Sequence, residues 1–236
     1  MTIAVSTLGR NKGTFGVAAT SVGYAATLTG GAALRVLLAT DSGISPSSVT
    51  DGTNTYVNKG SLNHTFYGVK LTQYIAENIA GGSLTVTGNF SSSNMQWIMV
   101  QQITGQAATC YDGQAMAYQP NPSSTSTDGI TTGNITPANQ PNLFAGFIVG
   151  AGGSSPGTGF NFDTFGGDFP IAGVGYSGNW ATEYLRTTST SAKACTWTNG
   201  NSGDYILTAA MVFDELVAGA NLGAALHHHL QNMGAR

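Results

Sequence analysis

Residues Gly82 to Gly105, GSLTVTGNFSSSNMQWIMVQQITG, set two different apolar patterns end to end. Leu84, Val86, Gly88 and Phe90 alternate with Thr85, Thr87 and Asn89, the period-two signature of a strand with one buried face. From Met95 to Ile103 the alternation disappears. Trp97, Ile98, Met99 and Val100 leave both faces apolar, which places that run in the middle of a packed sheet. Between the two, Ser91 to Asn94 carry the short polar side chains of a turn. The stretch therefore predicts a long antiparallel hairpin at the heart of a β-sandwich.

The rest of the chain supplies strands to pack on it. Ala32 to Thr40, AALRVLLAT, is an apolar run broken only by Arg35, and its length suits a buried strand. Thr2 to Ser6 begins a strand, Gly9 to Gly16 reads as a polar loop, and Val17 to Thr29 suits a sheet edge. SVTDGTNTYV at 48–57 predicts a hairpin turning at Asp51-Gly52, since Gly tolerates positive φ. Further strands are expected over Gly68–Asn78, Leu143–Val149, Phe160–Phe169 (interrupted at Gly166-Gly167), Trp180–Thr188, Ala192–Thr198 and Tyr205–Phe213. Gln106 to Pro141, with its Pro/Ser/Thr-rich 121–129 segment, is the least regular region. No repeat at a fixed period is found.

After Phe213 the period changes. Leu222, Leu226, Leu230 and Met233 fall on one helical stripe, with Asp214 and Glu215 suited to a helix N-terminus. Gly219 and Gly223 each weaken such a helix by about 1 kcal/mol relative to Ala, so it needs a docking surface. The expected organisation is an all-β, antiparallel two-sheet sandwich over 1–213 and a short helical tail over 214–236. The four stripe residues are its predicted assembly contact, which makes other copies of the chain its expected partners.

Charged residues are 8% of the 236, against roughly 25% in ordinary globular proteins. Eight scattered Lys and Arg and a net charge of −3 speak against nucleic acid, which requires clustered cations. No apolar run reaches the roughly 20 residues needed to cross a bilayer as a helix, so no membrane role is expected. A hydroxyl- and amide-rich surface suits an extracellular protein or a subunit covered by neighbours. The N-terminus lacks the pattern of a secretory signal. Together these point to a virion protein, made in the host cytoplasm and released by lysis. Cys110 and Cys195 allow one bridge, but match no metal or redox spacing and read as two buried free thiols.

The order of SVTDGTNTY (48–56), YIAENIAGGSLTVTGNF (74–90), WIMVQQITG (97–105), WATEYLRTTSTSAKACTWTNG (180–200) and YILTAAMVF (205–213) resembles jelly-roll-like β-sandwich domains of bacteriophage virion proteins and bacterial surface proteins. Residues 106–179 and 214–236 lie outside it. The resemblance implies a jelly-roll-like fold and a capsid-decoration or tail-associated setting, among other virion proteins. It implies no enzyme activity and no cofactor.

Candidate sites were weighed on their chemistry. His227, His228 and His229 point about 100° apart on a helix and cannot share one metal, so they read as a solvated or interfacial patch. His64 stands alone and is expected in a loop. Asp163, Asp168 and Asn161 could offer oxygens to calcium, but lack the twelve-residue loop spacing and read as turn caps. Glu77 and Glu183 are isolated. Ser155 sits in GSSPG, a Gly-x-Ser-x-Gly string whose Pro156 and Gly157 deny the helix of a nucleophile elbow. No metal or catalytic residue is therefore assigned. Tyr176, Trp180 and Tyr184 follow a Gly-rich turn and could stack on sugars, which makes a lectin-like module recognising host surface glycans the alternative function; core packing is the plainer reading.

Overall fold

β-Strands account for every regular element that the computed structural model describes, over residues 2–12, 19–41, 44–64, 69–94, 96–119, 130–150, 154–170, 177–199 and 206–217. The first half of the chain forms β1 (Ala4–Lys12), β2 (Ala19–Leu28), β3 (Ala33–Asp41), β4 (Pro46–Thr50), β5 (Val57–His64), β6 (Val69–Ala76), β7 (Gly82–Asn94) and β8 (Gln96–Thr104). The second half forms β9 (Gln106–Gln119), β10 (Ile130–Thr131), β11 (Asn142–Gly150), β12 (Ser154–Pro156), β13 (Asn161–Pro170), β14 (Ser177–Thr187), β15 (Thr196–Asn199) and β16 (Ile206–Glu215). All their ladders are antiparallel.

The strands build four sheets where two were expected. Two have five strands, ordered β1-β8-β3-β6-β5 and β13-β14-β11-β16-β9, and two have three, ordered β2-β7-β4 and β10-β15-β12. Adding eight to each strand number of the first five-stranded sheet gives the second, read from its other end. The same shift turns β2-β7-β4 into β10-β15-β12. The chain thus repeats one eight-strand connectivity, and passes from first unit to second through Gly105 alone. This repeat lies in hydrogen-bond topology and has no counterpart as a fixed sequence period.

Side-chain packing stacks the sheets into four layers. Leu34, Val36 and Leu38 of β3, with Ile98 and Val100 of β8, pack against Val22, Leu28, Val49, Val86 and Phe90 of the first three-stranded sheet. Their inward neighbours Leu37, Ala39, Trp97 and Met99 meet Phe147, Val149, Leu207 and Ala209 of the other five-stranded sheet. On the far side of that sheet, Phe144, Ile148, Ala210 and Val212 pack on Ile130 and Trp197. Inner strands are therefore apolar on both faces and outer strands on one.

That division explains the main correction. β7 and β8 have the expected burial, one wet face and none, and β8 is interior to its sheet. They are not a hairpin. β7 pairs with β2 and β4, while β8 pairs with β1 and β3, so β7 lies in an outer layer and β8 in an inner one. Ser91 to Asn94 continue β7 instead of turning.

The Asp51-Gly52 turn behaves in the same way. Gly52 has φ +82°, yet β4 and β5 belong to different sheets. Asp51 shapes this corner: its Oδ1 accepts from the Thr53 and Asn54 N–H groups, and its Oδ2 from Asn54 Nδ2 and the Tyr56 hydroxyl. Three further expectations change. β1 runs on through Gly9 to Lys12 where a loop was expected. β9, inside the supposedly irregular 106–141, spans 14 residues. Asp214 and Glu215 end β16 rather than begin a helix, and the rest of the expected helical tail, from residue 218 on, lies outside the described residues.

Candidate functional site

The five-stranded sheets face each other across a largely apolar seam with a charged group at its centre. There β3 contributes Ala33, Arg35, Leu37 and Ala39 to the inward face, and Arg35 is wholly buried. Its Nε and Nη2 donate to Gln73 Oε1 at 2.9 and 2.6 Å, and Nη1 donates to Gln101 Oε1 at 3.0 Å. The remaining donors cross the seam to the carbonyls of Ala145, 3.0 Å, and Ala209, 3.1 Å. All five N–H groups of the fork are used, which is how a buried guanidinium is retained without a carboxylate among these partners. Burial pushes Arg35 down to about 9, still charged at neutral pH.

One side of the seam is closed by β5 lying against β9. Gln73 Nε2 donates to Gln114 Oε1 at 3.2 Å, the His64 and Tyr118 rings meet edge-on at 5.3 Å, and Lys59 Nζ stands 3.8 Å above the Tyr111 ring. β9 is the counterpart of β1, so the β5 edge of one unit meets the β1-like edge of the other. His64, expected in a loop, is a buried residue of β5.

Four carboxylates act in and around the second unit. Glu183 is buried, with Oε2 accepting from Gly157 N–H and Oε1 from Thr196 N–H, both at 3.0 Å. Burial pushes it up to about 7 against the opposing effect of those bonds and of the Cys195 thiol. Glu77 Oε1 accepts the N–H groups of Cys110, 2.5 Å, and Tyr111, 2.8 Å, tying the end of the first unit to β9. Asp112, in a bulge of β9, accepts from the N–H groups of Ala138, 2.8 Å, and Asn139, 3.2 Å, through Oδ2. Asn139 Nδ2 in turn donates to Asp214 Oδ2 at 2.8 Å. Burial first, then the neighbouring Asp112 and Glu77, push Asp214 up to about 6.

Of the residues singled out from sequence, only some lie among the described residues. Leu222, Leu226, Leu230, Met233, His227, His228 and His229 lie outside the described residues, as does Tyr176. Trp180 lies in β14, where it pairs with Val149 and Phe165. Tyr184, on the same strand, packs half-buried on the inner core. Asp163 and Asp168 fall in strand β13 instead of a loop. Ser155 is exposed in β12, paired with Thr198 of β15. Cys110 and Cys195 are both free and buried, as read from their surroundings. Among the described residues, no group of three or more His, Cys, Asp or Glu could hold a metal ion.

Sequence reasoning passed over Arg35, Gln73, Gln101, Asp112 and the clamping role of Glu183. For Arg35 the signal was present, a single cation inside the nine-residue run Ala32 to Thr40, whose length suits a buried strand. No such signal marks Asp112 or Asp214. No family model, curated protein or solved structure matches the chain.

Proposed function

We propose that the protein is a non-enzymatic structural subunit of a bacteriophage virion, set on the capsid as decoration or associated with the tail. The observation that carries this reading is the duplicated body. Each unit pairs a five-stranded with a three-stranded sheet, the strand number and layering of a jelly-roll-like sandwich. Joined through their five-stranded sheets, the units turn their three-stranded sheets outward in opposite directions. A building block with two outward sheets and few charges suits packing among neighbours. The buried charged groups support the same reading, because Arg35 and Glu183 spend their bonding capacity on the frame. The apolar stripe of Leu222, Leu226, Leu230 and Met233 supplies the contact to other copies.

Antibody raised against the purified chain should decorate intact particles released by lysis of the source culture. Labelling of free protein alone, together with specific binding on a glycan array that is lost in Trp180→Ala, would overturn this reading in favour of a carbohydrate-recognition module.

A further inference from the structure

At one end of the second unit, on the outer face of its five-stranded sheet, side-chain oxygens outnumber the donors that reach them. Asp112 and Asp214 both accept from Asn139, the first from its N–H and the second from its Nδ2. Each already has one oxygen engaged: Asp112 Oδ2 with the Ala138 and Asn139 N–H groups, Asp214 Oδ2 with Asn139 Nδ2. Asp214 Oδ1 is buried and has no hydrogen-bond partner.

An independent observation comes from Asn142, which is 0% exposed. It stands directly across the β11–β16 ladder from Asp214, so the two side chains leave the same face of the sheet. Its Nδ2 donates to two carbonyls, Asn139 O at 2.9 Å and Ser189 O at 3.3 Å. Two carbonyl acceptors fix which end of the amide is nitrogen. Asn142 Oδ1 is therefore an acceptor by necessity, and it too is buried with no partner. A buried acceptor left without a donor destabilises the fold, and here two belong to cross-strand neighbours beside a second carboxylate. Glu77 adds its negative charge to Asp214. The nearby Arg186 is bound to Glu215, and Lys59 covers the Tyr111 ring.

We propose that this corner binds a hard divalent cation, calcium above all, through side-chain oxygens of Asp112, Asp214 and Asn142, with water completing the shell. Two carboxylates and an amide oxygen are ligands of the kind calcium takes, and they lack the nitrogen or sulfur that zinc prefers. The ion would satisfy both orphan acceptors and remove the repulsion between the paired carboxylates. It would also tie β9, β11 and β16 to the segment around Asn139.

The test uses the full-length protein, stripped with chelator and titrated with calcium chloride while its melting temperature is followed. Calcium at a hundredfold excess over its Kd should raise the melting temperature by about 5–10 °C, and magnesium by less. Asp214→Asn should abolish the shift, yet melt no lower than the unsubstituted protein in chelator, since it removes one of two facing charges. A residue with a merely structural role would instead lower that chelator value. Asn142→Asp should retain the response. Absence of any shift up to about 10 mM calcium, well above the Kd of weak extracellular sites, overturns the proposal. So does a shift that persists in both Asp112→Asn and Asp214→Asn. Stability that follows pH near 6 in chelator while ignoring calcium would assign the corner to a shared proton instead.

Discussion

Arg35 Nη2 donates to the carbonyl of Ala209, a residue 174 positions further along the chain and in the other structural unit. With its bond to Ala145, this makes one side chain of the first unit depend on two backbone groups of the second. Arg35→Ala should remove five hydrogen bonds, strand the two glutamine oxygens and leave a cavity. The expected loss is on the order of 3–5 kcal/mol, read as a lower urea midpoint. Arg35→Lys keeps the charge but not the fork, and should also destabilise.

Glu183 makes stability depend on pH. Its folded value, about 7, lies above the ordinary 4.5, so between these limits the folded state holds more protons than the unfolded one. Stability from this group is present at the acid end and declines as pH rises from about 4.5 to 7, by at most roughly 3 kcal/mol. Asp214, raised to about 6, acts in the same direction. Urea denaturation across that range should show the decline in the native chain and a shallower one in Glu183→Gln. An unchanged slope in the variant would assign the effect elsewhere.

Gly146 is a packing glycine. A Cβ built there would lie 2.8 Å from Cys195 Sγ and 2.9 Å from Glu183 Cγ, both in a closed interior. Gly146→Ala should cost about 1–3 kcal/mol, measurable as a drop in melting temperature.

The apolar stripe of the tail predicts an assembly defect without a folding defect. Deleting residues 218–236 spares the Arg186–Glu215 ion pair and the bond from Leu216 N–H to Gly105 O, so the four sheets should persist. Light scattering after size exclusion should find the full chain associated and the truncated one monomeric. Two folded monomers would reduce the tail to a local cap.

Much of this architecture was written as pattern. The alternating Leu84–Phe90 run and the all-apolar Trp97–Val100 run mark an outer and an inner strand, and the structure puts them there. The same contrast separates them, because β7 belongs to an outer three-stranded sheet and β8 to an inner five-stranded sheet covered on both faces. The turn residues Ser91 to Asn94 are a local signal of a hairpin, whereas the change of layer is set by packing partners distant in sequence. β9 escaped notice because an edge strand whose residues are half-buried shows little alternation. Glu183 and the Asp112–Asp214 corner draw their partners from segments far apart in sequence, a relation no local spacing encodes.

Gly105 alone separates β8 from β9. A tether that short presents each unit to the other at an effective concentration in the millimolar range or above, whatever the dilution of the protein. The seam between the units therefore need not be strong enough to hold two free molecules together. It has only to select one alignment of two sheets that can never drift apart, a task to which a many-armed polar anchor such as Arg35 is better suited than a wholly greasy face.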